Sequence, residues 1–328
     1  MDMSIQKGVP SLRGHLQIMR ADHWIKNVFV LPGIVVASAF KPEGLSGNTL
    51  FAVLIGMIAV CLVASSNYVI NELLDAKFDL KHKVKYRRPV PSGLVNVPLA
   101  YVQWLVLMAA GVGLGLCVSV PFASVLLVLW IMGCIYNIPP LRAKDLPYID
   151  VLTEAVNNPL RMLAGWYLVG PKTMLPISLL FSYWMVGAYF MAVKRFAEFR
   201  HIGDAVSAAS YRKSFAFYNQ QNLLVSIMFY ASASMLFLGT FVVRYRLEMI
   251  LSYPLVALVM AIYLDLAFKD NSAVQAPERL YREPRLMLAV ITCAMVMTIL
   301  LFVDIPILHR FFAPTLPTNP IFRGPFHD

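Results

Sequence analysis

The stretch that decides the fold is Ser65–Gly93, SSNYVINELLDAKFDLKHKVKYRRPVPSG, where an apolar run ends in amide and carboxylate side chains. These side chains recur every four residues, at Asn67, Asn71, Asp75 and Asp79. A helix that continues through all four places them on one face. A run of lysines and arginines follows at once. The stretch therefore predicts a polar site where a long apolar helix meets a basic loop.

The composition around this stretch is that of a membrane protein. Of the 328 residues, 59% are hydrophobic and only 14% are charged, and apolar runs of about 20 residues, enough to cross a bilayer, recur along the chain. Because only helices or closed barrels satisfy their backbone in lipid, we predict an all-α, polytopic integral membrane bundle. Its nine predicted spans cover residues 25–40, 49–71, 97–119, 121–138, 151–169, 173–193, 222–243, 249–267 and 286–308.

The basic residues predict the orientation. Most of the 28 Lys and Arg residues lie before the first span or in the loops after the even-numbered spans. By the positive-inside tendency this face is cytoplasmic. We therefore divide the chain into an N-terminal cytoplasmic segment (1–24), one transmembrane domain (25–308) and a C-terminal tail (309–328). The net charge of +10 suits a membrane surface or an anionic substrate, and no nucleic-acid-binding module interrupts the spans.

The carboxylates predict a metal site. Glu72 lies at the edge of the stripe, three residues before Asp75. Several carboxylates at the end of a membrane helix are costly without a neutralising cation, and hard oxygen ligands favour Mg²⁺, with Mn²⁺ as an alternative. Since Mg²⁺ commonly combines one or two carboxylates with phosphate oxygens, a phosphorylated substrate is indicated. The alternative is a helix that leaves the bilayer and carries ordinary surface charges.

A second acidic segment repeats the pattern. In YNIPPLRAKDLPYIDVLTEAVNNPLRMLAGW, Asp150, Glu154 and Asn158 are again four residues apart, and Arg161 follows. Two helices thus present carboxylates at the same predicted face, as expected for a pocket that holds a metal-bridged diphosphate. Arg161 is either a substrate ligand or a structural partner of Glu154 or Asp150.

The two segments resemble the two aspartate-rich motifs of the UbiA superfamily of intramembrane prenyltransferases. The resemblance covers nearly the whole chain and implies nine helices, two acidic motifs and a Mg²⁺-bridged diphosphate in a pocket at the cytoplasmic face. The sequence departs from the family pattern at two positions. Glu72 and Glu154 stand where the family usually has Asp, so each carboxylate is carried on a longer side chain. The residues that carry the resemblance are Asn71, Asp75, Asp79, Arg88, Pro89, Ser92 and Gly93 in the first motif, and Tyr136, Lys144, Asp150 and Glu154 in the second.

Three further segments resemble the polyprenyl-phosphate phosphoribosyltransferase branch: RADHWIKN (20–27), KRFAEFR (194–200) and YRKSF (211–215). The resemblance implies that phosphoribosyl diphosphate is the donor and a polyprenyl phosphate, such as decaprenyl phosphate, is the acceptor. A donor with a diphosphate and a 5-phosphate needs many cationic contacts, which these segments supply. In contrast, PPLRAKD (139–145) is more similar to chlorophyll- and quinone-type prenyltransferases.

We assign residue roles on this basis. The catalytic residues are Asp75, Asp79, Asp150 and Lys194. The metal ligands are Glu72, Asp75, Asp79 and Asp150, which hold Mg²⁺ on the diphosphate. The substrate-binding residues are Lys26, Asn27, Asn71, Lys85, Arg88, Lys144, Glu154, Arg161, Arg195, Glu198, Arg212 and Lys213.

Two alternatives stay open. A prenyltransferase of the same fold would move a prenyl group from a prenyl diphosphate to an aromatic or other acceptor, shielding a carbocation with Tyr136, Trp166, Tyr183, Trp184 or Tyr189. A transporter would also keep intramembrane carboxylates, but nearer the bilayer midplane. The resemblance implies a role at a bacterial inner membrane in building the cell envelope. Whether the chain forms a homo-oligomer is left open.

Overall fold

The computed structural model of the protein describes residues 8–41, 47–80, 85–170, 173–270, 272–275, 277–313 and 315, without the side chains of residues 205, 210 and 277–279. Within these residues the chain is helical and contains no β-strand. The predicted all-α class is therefore confirmed. The α-helices are α1 (Leu12–Ile18), α2 (Leu31–Ala39), α3 (Gly47–Asp79), α4 (Val97–Val118), α5 (Val120–Asn137), α6 (Ile149–Ala155), α7 (Asn157–Val169), α8 (Ile177–Ile202), α9 (Ala205–Tyr211), α10 (Gln220–Tyr245), α11 (Tyr253–Ala267), α12 (Pro284–Phe302) and α13 (Pro306–Phe311).

Seven helical segments of the described chain are long and apolar enough to cross a membrane. They comprise α3, α4, α5, α8, α10, α12 and Leu247–Ala267, which joins a 3₁₀ turn to α11. Each matches one of the predicted spans. The protein is therefore an integral membrane protein, and the count of nine spans stays a prediction.

The other two predicted spans are broken helices. Residues 25–40 comprise a 3₁₀ segment (Ala21–Val30) followed by α2. Residues 151–169 are divided between α6 and α7 at Val156. Pro159, at the third position of α7, has no N–H to donate to the carbonyl of Ala155, so the hydrogen-bond ladder is interrupted at this point. The break separates the second acidic motif from the helix below it.

Two glycines let α2 and α7 cross closely. A Cβ at Gly33 would collide with the backbone carbonyl of Met162, and a Cβ at Gly165 would collide with that of Val30. Small residues allow helix backbones to approach in membranes. This crossing holds the 3₁₀ segment 21–30 against α7.

The N-terminal helix is packed on the bundle. Ile18 of α1 is fully buried in a cluster with Val69 of α3 and Ala100 of α4. His15 bonds through Nδ1 to Oε1 of Gln103 at 2.8 Å. The segment assigned as residues 1–24 therefore includes a helix fixed to the transmembrane domain.

The chain direction brings both acidic motifs to one end of the bundle. The helices α3, α5 and α8 finish there, and α6 and α10 begin there. We call this the motif end. Larger apolar clusters fill the bundle between α6, α8, α10 and α11, and between α3, α5 and α7. The motif end thus collects polar side chains from α3, α5, α6 and α8, and from the segment between α9 and α10, above an apolar core.

Candidate active site

The polar stripe of α3 lies on a single helix, as predicted, because α3 continues through Asp79. Asn67 is the deepest member, and its Nδ2 donates to the carbonyl of Leu129 on α5 at 3.0 Å. A Cβ at Gly133 would collide with the Asn67 side chain, so glycine is needed for this contact. Asn67 therefore packs α3 against α5, and the members nearer the motif end are left to form the site.

Asp75 binds two cations from the loop between α5 and α6. Its Oδ1 accepts from Lys144 Nζ at 2.6 Å and from Arg142 Nη2 at 2.9 Å. Lys144 also donates to Asn137 Oδ1 at 2.9 Å, and the same oxygen accepts from Asn71 Nδ2 at 2.6 Å. Burial lowers the pKa of Lys144 to about 8. The charged carboxylate of Asp75 acts in the opposite direction, because it favours the protonated amine. This loop therefore closes over the first motif.

The basic loop after α3 binds the last turn of the same helix. Arg88 Nη1 lies 2.7 Å from Oδ2 of Asp79. Glu72 is buried, and its Oε1 accepts from the backbone N–H of Val90 at 3.0 Å. Glu72, predicted as a metal ligand, is therefore used in this structure to hold the backbone of the basic loop.

Asp150, the first carboxylate of the second motif, is fully buried and saturated with donors. Its Oδ2 accepts from Arg212 Nη1 at 2.9 Å, from Arg195 Nε at 3.1 Å and from Ser214 Oγ at 3.3 Å. Its Oδ1 accepts from the hydroxyl of Tyr218 at 2.7 Å. Asp150 thus ties α6 to α8 and to the segment between α9 and α10.

Glu154, one turn further along α6, is more accessible, with 36% of its side chain exposed. Its Oε2 accepts from the hydroxyl of Tyr136 at 2.8 Å and from Arg195 Nη2 at 3.1 Å. Arg195 also contacts Glu198 at 3.1 Å, so one buried guanidinium joins three carboxylates. The second motif is therefore built around Arg195.

Lys85 lies between the two motifs. Its Nζ is 5.2 Å from the ring centre of Tyr211, and its charged neighbours include Asp79 of the first motif and Glu198 beside the second. Burial, followed by the nearby Arg88, lowers the pKa of Lys85. The predicted site residues of both motifs therefore form one continuous polar region.

Two other predicted lysines lie nearer its edge. Lys194 Nζ is 4.0 Å from Oε1 of Glu198, and one fifth of the lysine side chain is exposed. Lys213 is 64% exposed and pairs with Asp145 at 3.3 Å. Lys213 is thus the outermost of the predicted substrate-binding residues that the structure joins to this region by an ion pair.

Three predicted residues lie deeper in the bundle, around the close crossing of α2 and α7. Arg161 Nε donates to Oδ1 of the buried Asn27 at 3.0 Å, and Asn27 Nδ2 donates to Cys61 Sγ at 3.1 Å. Lys26 is half-buried next to Asn27. Neither Glu154 nor Asp150 forms an ion pair with Arg161 in the described part of the chain. These contacts therefore do not support Arg161 as a structural partner of Glu154 or Asp150.

The carboxylates of the motif end are paired with cations. Within the described ranges, no group of three or more histidine, cysteine, aspartate and glutamate side chains forms a metal site by itself. Asp75 Oδ2 and Asp79 Oδ1 accept no hydrogen bond from the described residues. The Asp75 side chain is partly exposed, and that of Asp79 is buried. Two such oxygens fit Mg²⁺, which takes its remaining ligands from water and phosphate.

Three of the aromatic candidates are committed to packing. The indole N–H of Trp166 donates to the carbonyl of Thr173, and that of Trp184 donates to the carbonyl of Leu152. The Tyr189 hydroxyl donates to the carbonyl of Met260. Tyr136 faces the second motif through Glu154, so it is the aromatic residue with a direct link to the site.

Sequence reasoning missed three site residues: Arg142, Asn137 and Tyr218. Arg142 lies two residues before Lys144 in the second acidic segment, and its positive charge could have identified it as a site residue. Asn137 is the last residue of an apolar helix, where an amide side chain is uncommon, so it could also have been predicted as a site residue. Tyr218 had no signal, because 67 residues separate it in sequence from the Asp150 that it contacts.

Comparisons with known proteins agree with this geometry. The sequence model of the UbiA prenyltransferase family matches residues 28–291. A decaprenyl-phosphate phosphoribosyltransferase from Corynebacterium glutamicum is 29% identical over 188 residues, which are 56% of this chain and 54% of that protein. The chain thus spans about half the length of this relative. A decaprenyl-phosphate phosphoribosyltransferase from Mycobacterium tuberculosis is 29% identical over 68% of this chain and 71% of its own length.

Other branches of the family match as well. A digeranylgeranylglyceryl phosphate synthase from Sulfurisphaera tokodaii is 26% identical over 45% of this chain and 51% of that protein. Among solved structures, a UbiA homologue from Archaeoglobus fulgidus bound to DMAPP and Mg²⁺ has a TM-score of 0.66 at 18% identity, covering 87% of this chain and 99% of that one. At this identity the likeness demonstrates the fold.

Proposed function

Since the chain belongs to the UbiA prenyltransferase family and is a transferase of that family, we propose that it transfers phosphoribose from phosphoribosyl diphosphate to a polyprenyl phosphate. The C1–O bond to the diphosphate breaks and its electron pair leaves with the diphosphate, while an oxygen of the lipid phosphate bonds to C1. We place the reaction at the cytoplasmic face of a bacterial inner membrane, with the motif end and the N-terminus on that side.

The observation that carries this proposal is the number of cations around the two motifs. Six cations form ion pairs with motif carboxylates or Glu198, and Lys85 lies beside them. The six are Arg88, Arg142, Lys144, Lys194, Arg195 and Arg212. Seven carboxylates lie among these cations and offset most of their charge: Glu72, Asp75, Asp79, Asp145, Asp150, Glu154 and Glu198. A prenyl diphosphate has one anionic group, whereas phosphoribosyl diphosphate and a lipid phosphate together have three. The number of cationic donors suits the larger anionic load, because each can turn from a carboxylate to a phosphate oxygen.

Asp75 and Asp79 are the proposed metal-binding residues because each retains one carboxylate oxygen that accepts no hydrogen bond from the described residues. Mg²⁺, or Mn²⁺, bound there would neutralise the diphosphate and stabilise the negative charge of the leaving group. The divalent metals bound to the Archaeoglobus homologue support this assignment. Asp150 and Glu72 remain predicted ligands, although both are already bonded within the protein.

The cations of the first motif have a defined task in this proposal. Arg142 and Lys144 hold Asp75 through one shared oxygen. When a diphosphate enters, both side chains have an anion of higher charge within reach, so they move from carboxylate to phosphate oxygens and orient the leaving group. The lipid phosphate is anionic at neutral pH. No general base is therefore required to make it a nucleophile.

Prenyl transfer is the second candidate. It is favoured by the matched synthase from Sulfurisphaera tokodaii and by the Archaeoglobus homologue with DMAPP and Mg²⁺. The same carboxylates would bind a prenyl diphosphate. Membership of a transferase family leaves transport, the third possibility from the sequence, without a supporting observation.

The test is release of inorganic diphosphate by purified protein in detergent, with Mg²⁺ and phosphoribosyl diphosphate, with and without decaprenyl phosphate. Release that requires both the metal and the lipid is expected. Matched reactions contain geranylgeranyl diphosphate with an aromatic acceptor. If diphosphate is released only in the prenyl reactions, the proposed donor is wrong and prenyl transfer takes its place.

A further inference from the structure

Arg161 is a charged side chain inside the bundle, and no described residue forms an ion pair with it. Its Nε donates to Asn27 Oδ1 at 3.0 Å and its Nη1 donates to the carbonyl of Asn157 at 3.3 Å. Both partners are neutral. Its titratable neighbours are Tyr68, Tyr183 and Cys61, and none is a carboxylate. Arg161 therefore differs from the arginines of the motif end that are bonded to the motif carboxylates.

The side chains around Arg161 present hydrogen-bond donors for which no described residue supplies an acceptor. Arg161 Nη2 and the hydroxyls of Tyr68 and Tyr183 have no hydrogen-bond acceptor among the described residues. None of these three groups is among the fully buried atoms without a partner, so each faces open space that a ligand can enter. An uncompensated charge in a membrane helix usually marks a functional site. The group that completes this set is an anion with several acceptor oxygens.

The guanidinium is also held in place. Asn27 is 1% exposed, and its Nδ2 is bonded to Cys61 Sγ at 3.1 Å. With the amide fixed from that side, its Oδ1 can only face Arg161 Nε. The close crossing of α2 and α7 keeps both supporting segments together. Arg161 is thus presented in one orientation.

The depth of Arg161 separates it from the diphosphate. Cys61 and Tyr68 precede Asp75 by 14 and seven residues on α3, so the groups around Arg161 lie about 10 to 20 Å along the helix from Asp75. The arginine side chain extends back toward the motif end, as its contact with Asn157 indicates. A substrate held at Asp75 and Asp79 therefore reaches Arg161 through a second group, not through its diphosphate.

We propose that Arg161, with Tyr68 and Tyr183, binds a phosphate monoester of a substrate, at a site distinct from the carboxylates that hold the diphosphate. This inference rests on the proposed function for the identity of the substrates. Two groups have the required chemistry: the phosphate of the polyprenyl acceptor and the 5-phosphate of the donor. The planar guanidinium suits either, because it donates two parallel hydrogen bonds to phosphate oxygens.

The experiment measures equilibrium binding to the purified full chain in detergent with two phosphate monoesters that undergo no turnover, farnesyl phosphate and ribose 5-phosphate. Wild type is expected to bind at least one. Arg161→Gln is expected to weaken that binding roughly tenfold to hundredfold, as for a lost charged hydrogen bond. Arg244→Gln, which makes the same change on an exposed surface of α10, is the matched control and should bind like wild type.

The probe that responds identifies the source of the phosphate. Loss of farnesyl phosphate binding assigns the site to the lipid, and loss of ribose 5-phosphate binding assigns it to the donor. Tyr183→Phe keeps the packing and removes one hydroxyl, so it should weaken the same probe roughly threefold to tenfold even if Arg161→Gln does not fold. Wild-type affinity in Tyr183→Phe, or in a folded Arg161→Gln, overturns the proposal, as does failure of wild type to bind either probe.

These outcomes are independent of the turnover assay. If the protein releases no diphosphate from phosphoribosyl diphosphate but binds a monoester in an Arg161-dependent way, the proposed donor is rejected and the phosphate site stands. If turnover is as proposed and neither monoester depends on Arg161, the phosphate site is rejected alone.

Discussion

The two acidic motifs have the same spacing but different surroundings. On α3, Asp75 and Asp79 are each bonded through one oxygen, and their partners come from two surface loops. On α6, Asp150 is fully buried and bonded through both oxygens to four side chains. Four-residue spacing determines that carboxylates share a face. How many of their oxygens remain available depends on what packs against that face.

This difference separates two kinds of carboxylate. The first motif keeps oxygens that can bind a metal, at little cost to folding, because its cations can turn to another anion. In the second motif the buried Asp150 organises Arg195 and Arg212, and the more accessible Glu154 keeps Oε1 without a partner in the described chain. The predictions below test this division.

The largest effect is expected on turnover when the first motif is changed. Asp75→Ala and Asp79→Ala remove the free oxygens, and we expect diphosphate release to fall by about 100-fold to 1000-fold or more. Size-exclusion profiles should stay near wild type for both variants. The melting temperature should stay near wild type for Asp75→Ala, whose side chain is 21% exposed. It should fall for Asp79→Ala, because the buried Asp79 is the partner of Arg88. A double variant with near-normal turnover would contradict the metal assignment.

The next effect is on stability and concerns the second motif. Asp150→Asn leaves Arg195 and Arg212 without their shared counter-ion. Removing one partner of a buried ion pair costs about 3–5 kcal/mol. We therefore expect a large drop in melting temperature in detergent, with Asp75→Asn as the control that melts close to wild type. If Asp150→Asn melts normally and loses only Mg²⁺ dependence, Asp150 is a metal ligand, as its spacing predicts.

A smaller effect is expected at Glu154. Glu154→Gln keeps an oxygen for the Tyr136 hydroxyl but removes the charge. If Oε1 supports the metal, the Mg²⁺ concentration for half-maximal turnover should rise roughly tenfold. Titration of turnover against Mg²⁺ measures this, and Glu198→Gln is the comparison on α8. An unchanged Mg²⁺ requirement in Glu154→Gln would show that Glu154 does not contribute to the metal.

The smallest effect tests how saturated Asp150 is. Ser214→Ala removes the longest of its four side-chain hydrogen bonds, at 3.3 Å. Because three donors remain, we expect a loss of about 0.5–1.5 kcal/mol or less in the free energy of unfolding, seen as a slight fall in melting temperature. A fall as large as that of Asp150→Asn would mean that the hydroxyl, and not the two arginines, anchors the carboxylate.

Particular residues show how far sequence reasoning reached. The four-residue spacing predicted one polar face on condition that the helix continues past Leu74, and α3 does continue through Asp79. Seven predicted spans match helices of sufficient length and apolarity. The break at Val156 was not predicted, although Pro159 marks it in the sequence. The pairing of Asp75 with Arg142 was missed, because the loop could have folded in any direction away from α3.

By itself the sequence determined the membrane character, the all-helical class, the family resemblance and the two carboxylate stripes. The membrane character, the helical class and the stripes follow from composition and from spacings within one helix, where each residue's position is set by its neighbours in the chain. The resemblance rests on the motif residues themselves. Tertiary structure alone decided that Asp150 is saturated, that Glu72 holds a loop backbone and that Arg161 has no counter-ion in the described part of the chain. Each depends on contacts between segments far apart in sequence, and no local pattern records which distant donor or acceptor fills a given position.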